Sequence, residues 1–322
     1  MQPCLLPFDE SVYKARINAL QSEIQSDDYS GALVFDPENI YWLTGYQTIG
    51  YFTFQTLFIP AEGPLSIVGR VVNRDLALAH PTIDVFEAVV DTADPIVVLA
   101  EYLRRQDLDK PLAVETTALY LKVDDFLQLT EQMSIPLVGW GRPIERQRRV
   151  KTDAEIERMR SAARCAEAGL RAAIEVAAPG KTENDLAAAM FHANISAGSE
   201  YLGHPPLVVA GETTALCFAM WRRREIKRND VVLLESAGCV DRYHAMLSRP
   251  VVVGKPTDKH REAADALQGV LESAIEAIKP GRTAAEVDEQ CRRVVETQGL
   301  GDYFKHRSAY GIGIGFPPNW SE

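Results

Sequence analysis

Residues 230–254 read DVVLLESAGCVDRYHAMLSRPVVVG, with two apolar, β-branched runs on either side of a polar cluster at 241–244. The first run, 231–234, ends at Glu235, and the second run covers residues 246–253. Apolar runs of this length that are bounded by polar turn residues predict buried β-strands. The sequence therefore predicts a buried strand pair at residues 231–253.

Three functional side chains lie where the two predicted strands adjoin: Glu235, Arg242 and His244. Burying a carboxylate without a partner costs roughly several kcal/mol of folding free energy. A buried carboxylate is therefore expected to form an ion pair or to take part in catalysis. Two interpretations stay open at this point. Glu235 belongs to a site of chemistry, or it caps a strand and forms an ion pair with Arg242 or Arg249.

The composition is that of a globular protein large enough for two domains. A chain of 322 residues can bury a core without disulfides. Its net charge of −11 argues against a nucleic-acid partner, because phosphate binding needs a basic surface. No apolar run approaches the ~20 residues of a membrane span. The amino terminus, MQPCLLPFDESVYK, lacks the features of a secretory signal. We therefore expect a cytoplasmic protein with a small-molecule substrate and no membrane partner.

The cysteines are scattered and odd in number, at Cys4, Cys165, Cys217, Cys239 and Cys291. No two of them form a CxxC pair, so neither a zinc cluster nor a disulfide framework is expected.

The first half of the chain alternates short apolar runs with segments of helical spacing. This alternation predicts an α/β domain over residues 1–145. Strands are predicted at 31–35, 52–59, 64–68, 84–90, 111–115 and 135–140, and helices at 13–24, 95–108 and 123–133. The basic stretch GRPIERQRRV at 141–150 is interpreted as a linker, and a second domain is predicted over 150–322.

The second domain contains an internal repeat. The segment LRAAIEVAAPGKT at 170–182 aligns with LESAIEAIKPGRT at 271–283, an offset of 101 residues (271 − 170). A second capped helix follows each PG turn, so the repeat predicts two copies of helix, turn, helix and strands. Such a pseudo-twofold α+β domain places its site between the copies. The second copy of the strand pair would end at residue 355 (254 + 101), so we expect this domain to be incomplete at its carboxyl terminus or the sequence to be a fragment.

These segments resemble a known family. The second domain resembles the pita-bread fold of creatinase, prolidase and methionine aminopeptidase. The motif ENIYWLTGY resembles the amino-terminal domain of creatinase and prolidase, and RRVKTDAEIERMRSAA resembles the opening of their catalytic domain. Three further motifs, GYQTIGYFTFQ, ESAG followed by RYHA, and YGIGIGFPPNWSE, are similar to the ectoine hydrolase-like members.

The resemblance bears on metal binding. Peptidases of the family hold two metal ions with two Asp, one His and two Glu. The two Asp positions correspond here to Glu235 and Met246, and a thioether is a poor ligand for hard or borderline ions. The metal-binding His corresponds to His306, Tyr310 replaces the second His of the family's H-x-x-x-H stretch, and the two Glu fall beyond residue 322. We therefore expect neither a metal nor another cofactor. Phe218 stands where creatinase has an acid–base His, which argues against a creatinase-type mechanism.

The resemblance implies a metal-independent hydrolase of a C–N bond in a small zwitterionic amidine or amide, ectoine hydrolase-like or creatinase-like. Glu235 would attack the amidine carbon or activate water, and Tyr310 or His244 would protonate the leaving nitrogen. An arginine would bind a substrate carboxylate in a bidentate pair. The candidate substrate-binding residues are Arg242, Arg249, Arg70, His204 and His306, with Arg307 as a further candidate for the carboxylate.

Other functions remain open from the sequence. A metal-dependent Xaa-Pro dipeptidase or aminopeptidase is one alternative, and an inactive or truncated family member is another. Each candidate residue also has a structural interpretation, since a histidine or tyrosine beside a buried strand often only packs or hydrogen-bonds. The resemblance further implies a homodimer, in which the amino-terminal domain of a partner subunit covers the site.

Overall fold

The computed structural model describes residues 6–322, so Cys4 lies outside the described residues. The chain folds into two compact units, residues 1–154 and 155–322. Within the described residues, none of the helices combines the length and the apolar character that crossing a bilayer requires.

The first unit is built on a six-stranded mixed sheet in the order β4-β3-β2-β1-β5-β6. Its strands are β1 (Gly31–Val34), β2 (Gln55–Pro60), β3 (Ser66–Arg70), β4 (Val85–Val89), β5 (Leu112–Val114) and β6 (Leu137–Gly139). Its helices are α1 (Glu10–Ser26), α2 (Pro37–Thr44), α3 (Arg74–Leu78), α4 (Pro95–Arg104), α5 (Val123–Gln132) and α6 (Pro143–Arg148). Strands alternate with helices, which confirms the predicted α/β class.

The stretch interpreted as a linker belongs to this unit. Residues 143–148 form helix α6, with Pro at its first position, where the missing N–H costs nothing. Ile144 is buried, and Arg148 donates to the side-chain oxygen of Asn39 at 2.5 Å. The linker prediction was wrong. The basic composition of the stretch suggested an exposed connection, but composition does not reveal the buried contacts of Ile144 and Arg148.

The second unit contains two helix pairs and a three-stranded antiparallel sheet in the order β7-β8-β9. Its helices are α7 (Asp153–Val176), α8 (Glu183–Ser196), α9 (Asp258–Ala277) and α10 (Ala284–Thr297), and its strands are β7 (Leu207–Ala210), β8 (Val231–Val240) and β9 (Tyr243–Val252). Strands β7 and β8 pack with α7 and α8 around one apolar cluster, which includes Leu170, Leu186, Val208 and Leu234.

The helical part of the predicted repeat is confirmed. Gly180 and Gly281 occupy the same turn with the same φ of 86°, a left-handed conformation that glycine adopts without strain. Thr182 and Thr283 each close a capping box at the start of the following helix. After α10, residues 298–322 as described form isolated bridges rather than a strand.

The strand pair at the centre of the sequence is longer than predicted. β8 continues through Glu235 to Val240, and β9 already begins at Tyr243. The turn is reduced to Asp241 and Arg242, with φ of 48° and 62°, the left-handed pair that a two-residue hairpin needs. Glu235 therefore lies within a strand rather than at its end. This placement decides which side chains share its face.

Candidate active site

Glu235 is the centre of the candidate site. Its register partners are Leu207 on β7 and Ser248 on β9. Because side chains alternate between the two faces of a sheet, Glu235 shares a face with Met246, whose own partner is Ala237. This face opens into a cavity of about 210 Å³ that Glu235 helps to line.

The Glu235 carboxylate stands in mostly apolar surroundings. The cavity is lined mainly by apolar side chains, among them Leu207, Val209, Leu216, Phe218 and Leu233. Within residues 6–322 the carboxylate has neither a hydrogen bond nor an ion pair. Burial raises the pKa of Glu235 above its ordinary value, and the nearby His204 and His306 only partly oppose that rise. The site therefore holds a desolvated carboxyl group that forms no ion pair within residues 6–322.

Two histidines flank this carboxyl group. His204 lies in the loop before β7, and its Nδ1 is 2.6 Å from the carbonyl oxygen of Pro205. His306 lines the cavity, its Nδ1 is 3.2 Å from the carbonyl oxygen of Arg307, and its ring meets Phe218 edge-on at 6.0 Å. A carbonyl accepts only from a protonated nitrogen, so both contacts place the ring proton on Nδ1. The Nε2 atom of each histidine then remains available to a substrate.

Tyr310 is the fourth member of the group. It is half-buried, and the Arg307 guanidinium lies 5.0 Å from the centre of its ring. Burial is the main cause that raises the pKa of Tyr310, and the negative charge of Glu235 raises it further. The hydroxyl is therefore protonated at neutral pH and lies within electrostatic reach of Glu235. The structure thus brings together Glu235, His204, His306 and Tyr310.

His244 occupies a different environment. It is fully buried, its Nε2 accepts the N–H of Gly203 at 2.9 Å, and its Nδ1 lies 2.9 Å from the carbonyl oxygen of Arg242. Burial, with help from the Arg242 charge, lowers the pKa of His244 to about 3, so the ring stays neutral. Both ring nitrogens are engaged within the protein. This differs from the expectation that His244 donates a proton to a leaving group.

Arg242 is also held inside the fold rather than at the cavity. Its side chain is completely buried and donates to the carbonyl oxygens of Tyr201 at 2.7 Å and Gly315 at 2.6 Å. The guanidinium stacks on the rings of Tyr201 and Phe316, 3.9 and 4.7 Å from their centres. It therefore joins the loop at residues 199–206 to the glycine-rich segment 311–315, rather than facing a substrate as the sequence suggested.

The other two candidate arginines are not beside Glu235 either. Arg249 pairs with Leu234, so it projects from the face opposite to Glu235, and it is exposed. Arg70 ends β3 in the first unit and forms an ion pair with Asp91 at 2.8 Å. Their predicted roles rested on residue type alone, which does not specify a strand face or an ion-pair partner.

Sequence reasoning missed one residue of this region, Trp320. Its ring lies 4.7 Å from the ring of His204. Trp320 follows the Pro317–Pro318 pair in a segment with neither helical nor strand periodicity, so the pattern offered no signal beyond an isolated tryptophan.

The metal ligands of the family have no matching arrangement here. In the part of the chain that the structure describes, no group of three or more His, Cys, Asp or Glu side chains is placed to hold a metal ion. The face that carries Glu235 offers Met246 at the second carboxylate position, and a thioether suits soft ions rather than manganese or zinc. The described residues therefore do not fit such a centre.

Comparisons with known proteins agree with this architecture. The model of metallopeptidase family M24 matches residues 157–321, and that of the creatinase/prolidase N-terminal domain matches residues 16–150. Ectoine hydrolase of Halomonas elongata is 26% identical, over 98% of this chain and 84% of that protein. Xaa-Pro dipeptidase of Pyrococcus furiosus is 26% identical, over 94% of this chain and 82% of that protein.

Solved structures show the same fold. The crystal structure of a recombinant prolidase from Thermococcus sibiricus superimposes with a TM-score of 0.84 at 24% identity, over 96% of this chain and 84% of that one. The prolidase from Pyrococcus horikoshii gives a TM-score of 0.82 at 22% identity, over 94% of this chain and 83% of that one. The predicted creatinase-like and pita-bread folds are confirmed. The chain therefore belongs to metallopeptidase family M24 and carries the creatinase/prolidase N-terminal domain before it.

Proposed function

We propose that this protein hydrolyses a C–N bond in a small zwitterionic amidine, as an ectoine hydrolase does, without a metal ion. The observation that carries the proposal is the Glu235 carboxylate, which lies in a mainly apolar cavity and forms no ion pair among the described residues. A cationic substrate supplies a counter-ion. An amidinium suits the cavity because its positive charge pairs with the carboxylate and its flat faces suit apolar walls.

The residues of the site are assigned different roles in the reaction. An amidinium carbon is already electrophilic, so it needs no metal to polarise it. Glu235 attacks this carbon to form an ester-like intermediate, which water then hydrolyses while returning a proton to Tyr310, or Glu235 removes a proton from the water that adds to the carbon. Tyr310 then donates its phenolic proton to the leaving nitrogen as the C–N bond breaks. His204 and His306 bind the remainder of the substrate, including its carboxylate.

A second candidate is a metal-dependent Xaa-Pro dipeptidase. The family match and the similarity to the dipeptidase of Pyrococcus furiosus favour it. The residue pair Glu235 and Met246 weighs against it, since one hard oxygen ligand and one thioether do not hold two borderline metal ions.

A proton NMR time course of ectoine with purified protein and excess chelator tests the proposal. A Xaa-Pro dipeptide with added manganese serves as the parallel substrate. Ring opening of ectoine that persists in chelator supports metal-free amidine hydrolysis. Metal-dependent cleavage of the dipeptide, with ectoine unchanged, refutes the proposal in favour of the second candidate.

The pH dependence of kcat/KM provides a further prediction. Catalysis needs ionised Glu235, and burial raises the pKa of this group above the ordinary 4.5. Activity should therefore fall as the pH decreases through a limb that lies above pH 4.5, about tenfold per pH unit below it. An alkaline limb from Tyr310 should lie above pH 10, because burial and the Glu235 charge raise its pKa from 10.0. A rate profile from pH 4 to 11, with thermal unfolding measured at each pH, checks both limbs; an acidic limb at or below pH 4.5 contradicts the assignment of Glu235.

A further inference from the structure

We infer that Phe218 is a specificity-determining residue whose ring lies against the cationic amidinium that Glu235 binds, an inference that rests on the proposed function. The phenyl ring lines the same cavity as the carboxylate, together with His306. Phe218 is 69% exposed, although phenylalanine is among the residues that are most often buried. The surface of the ring is therefore open to a ligand in the cavity.

The backbone at Phe218 has a conformation that favours glycine. Residues 216–219 form a β-turn, in which the N–H of Ala219 donates to the carbonyl oxygen of Leu216 at 3.3 Å. Phe218 is the third residue of this turn and has a φ of 60°. Glycine or asparagine normally occupies such a position, because a bulky side chain strains the left-handed backbone. Residues strained in this way cluster at binding and catalytic sites, so the backbone of Phe218 indicates a functional side chain.

The turn is anchored to the sheet that carries Glu235. The Thr213 hydroxyl donates to the carbonyl oxygen of Ala210, the last residue of β7, at 2.9 Å. The N–H of Leu216, which opens the turn, donates to the carbonyl oxygen of Thr213 at 3.0 Å. Strand β7 pairs directly with β8, the strand of Glu235. These hydrogen bonds therefore fix the turn that carries Phe218 relative to the carboxylate.

An aromatic ring and a carboxylate in one cavity favour a cationic ligand. The face of a phenyl ring carries partial negative charge, which attracts a cation within about 6 Å of its centre. The centres of the Phe218 and His306 rings are 6.0 Å apart and their planes are inclined at 72°, so His306 does not cover the phenyl ring as a stacked partner would. A planar amidinium can lie against Phe218 while its charge pairs with Glu235. A neutral amide of the same shape gains neither attraction, so the ring selects for charge.

Fluorination of the Phe218 ring tests this attraction, because fluorine withdraws charge from the ring face and changes the shape of the ring little. Phenylalanine with one, two or three ring fluorines is incorporated at residue 218. The Kd values of acetamidinium and of neutral acetamide are then measured by ligand-observed NMR. We expect the Kd of acetamidinium to rise with each fluorine, by about fivefold to tenfold in total, and the Kd of acetamide to stay constant. The same replacements at Phe191, which packs on Trp221 instead, should change neither Kd.

Phe218→Gly separates a role in binding from a role in the fold. Glycine adopts a positive φ without strain, which offsets the greater flexibility that it gives the unfolded chain, so the midpoint of thermal unfolding should change little. The KM for ectoine should rise about tenfold, and kcat should fall by no more than about threefold.

Three results overturn the inference. They are a Kd of acetamidinium that does not depend on the number of fluorines, the absence of acetamidinium binding to the unmodified protein, and an unchanged KM with a lowered unfolding midpoint in Phe218→Gly. The last result would mean that the ring only supports the turn. If the unmodified protein does not open ectoine, the proposed function fails, while the fluorine series still decides whether Phe218 lies against a cation.

Discussion

Glu235→Gln is expected to reduce the turnover of ectoine by about 10²- to 10⁴-fold if Glu235 is a general base, and by more than about 10⁴-fold if it is the nucleophile. Glutamine keeps the size of the side chain but neither attacks carbon efficiently nor accepts a proton at neutral pH. The same change removes the anion that an amidinium would pair with, so KM should rise as well. The proton NMR time course measures all of these effects.

The variant should remain folded, which distinguishes a catalytic defect from a folding defect. Burial raises the pKa of Glu235 in the folded state, so the ionised form opposes folding once the pH exceeds that pKa. Glutamine lacks this penalty, and Glu235→Gln should be at least as stable as the unmodified protein at neutral pH. The advantage should disappear at low pH, where Glu235 is protonated in both the folded and unfolded states.

Glu262→Gln is the matched control for this experiment, because Glu262 is an exposed glutamate of α9 and does not line the cavity around Glu235. It should change neither turnover nor the midpoint of thermal unfolding. Turnover of the Glu235→Gln variant at the rate of the unmodified protein would end the proposal that this carboxylate carries the chemistry.

The fold could be predicted from the sequence where the signals are local. The turns at Gly180 and Gly281, each followed by a threonine cap, are set by a few adjacent residues, and the two helix pairs formed as the repeat indicated. Glu235 could likewise be singled out, because a carboxylate among β-branched apolar residues is unusual in any context. These inferences required no knowledge of distant parts of the chain.

The environments of Arg242 and His244 could not be predicted in this way. Two polar residues beside a turn suggest an exposed or catalytic position, yet both are buried. Their partners, at Gly203 and in the segment 311–315, are about 40 and 70 residues away in sequence. A backbone N–H or carbonyl group has no side-chain signature, so nothing in the sequence marks the backbone groups that pair with these side chains.

Arg242→Met is expected to lower the free energy of unfolding of the second unit by about 3–5 kcal/mol, the cost of removing one partner from a buried charged network. The carbonyl oxygens of Tyr201 and Gly315 would lose their donor, and Glu200, 3.6 Å from the guanidinium, would lose its counter-ion. Methionine preserves part of the apolar stem between the two aromatic rings, so the change should reflect mainly the lost polar contacts. Urea denaturation followed by circular dichroism and tryptophan fluorescence measures the effect.

Arg249→Met offers a matched comparison in the same hairpin. Arg249 is exposed, and the hydrogen bond recorded for its side chain goes to the carbonyl oxygen of the adjacent Ser248, so its loss should change stability by no more than about 0.5 kcal/mol. The two arginines were equivalent candidates for binding a substrate carboxylate, and the structure separates them by burial. A large loss of stability in Arg242→Met, with little in Arg249→Met, supports a structural role for Arg242. If Arg242→Met instead leaves the unfolding free energy unchanged and raises only the KM for ectoine, the guanidinium reaches the substrate, and the role predicted from the sequence is correct.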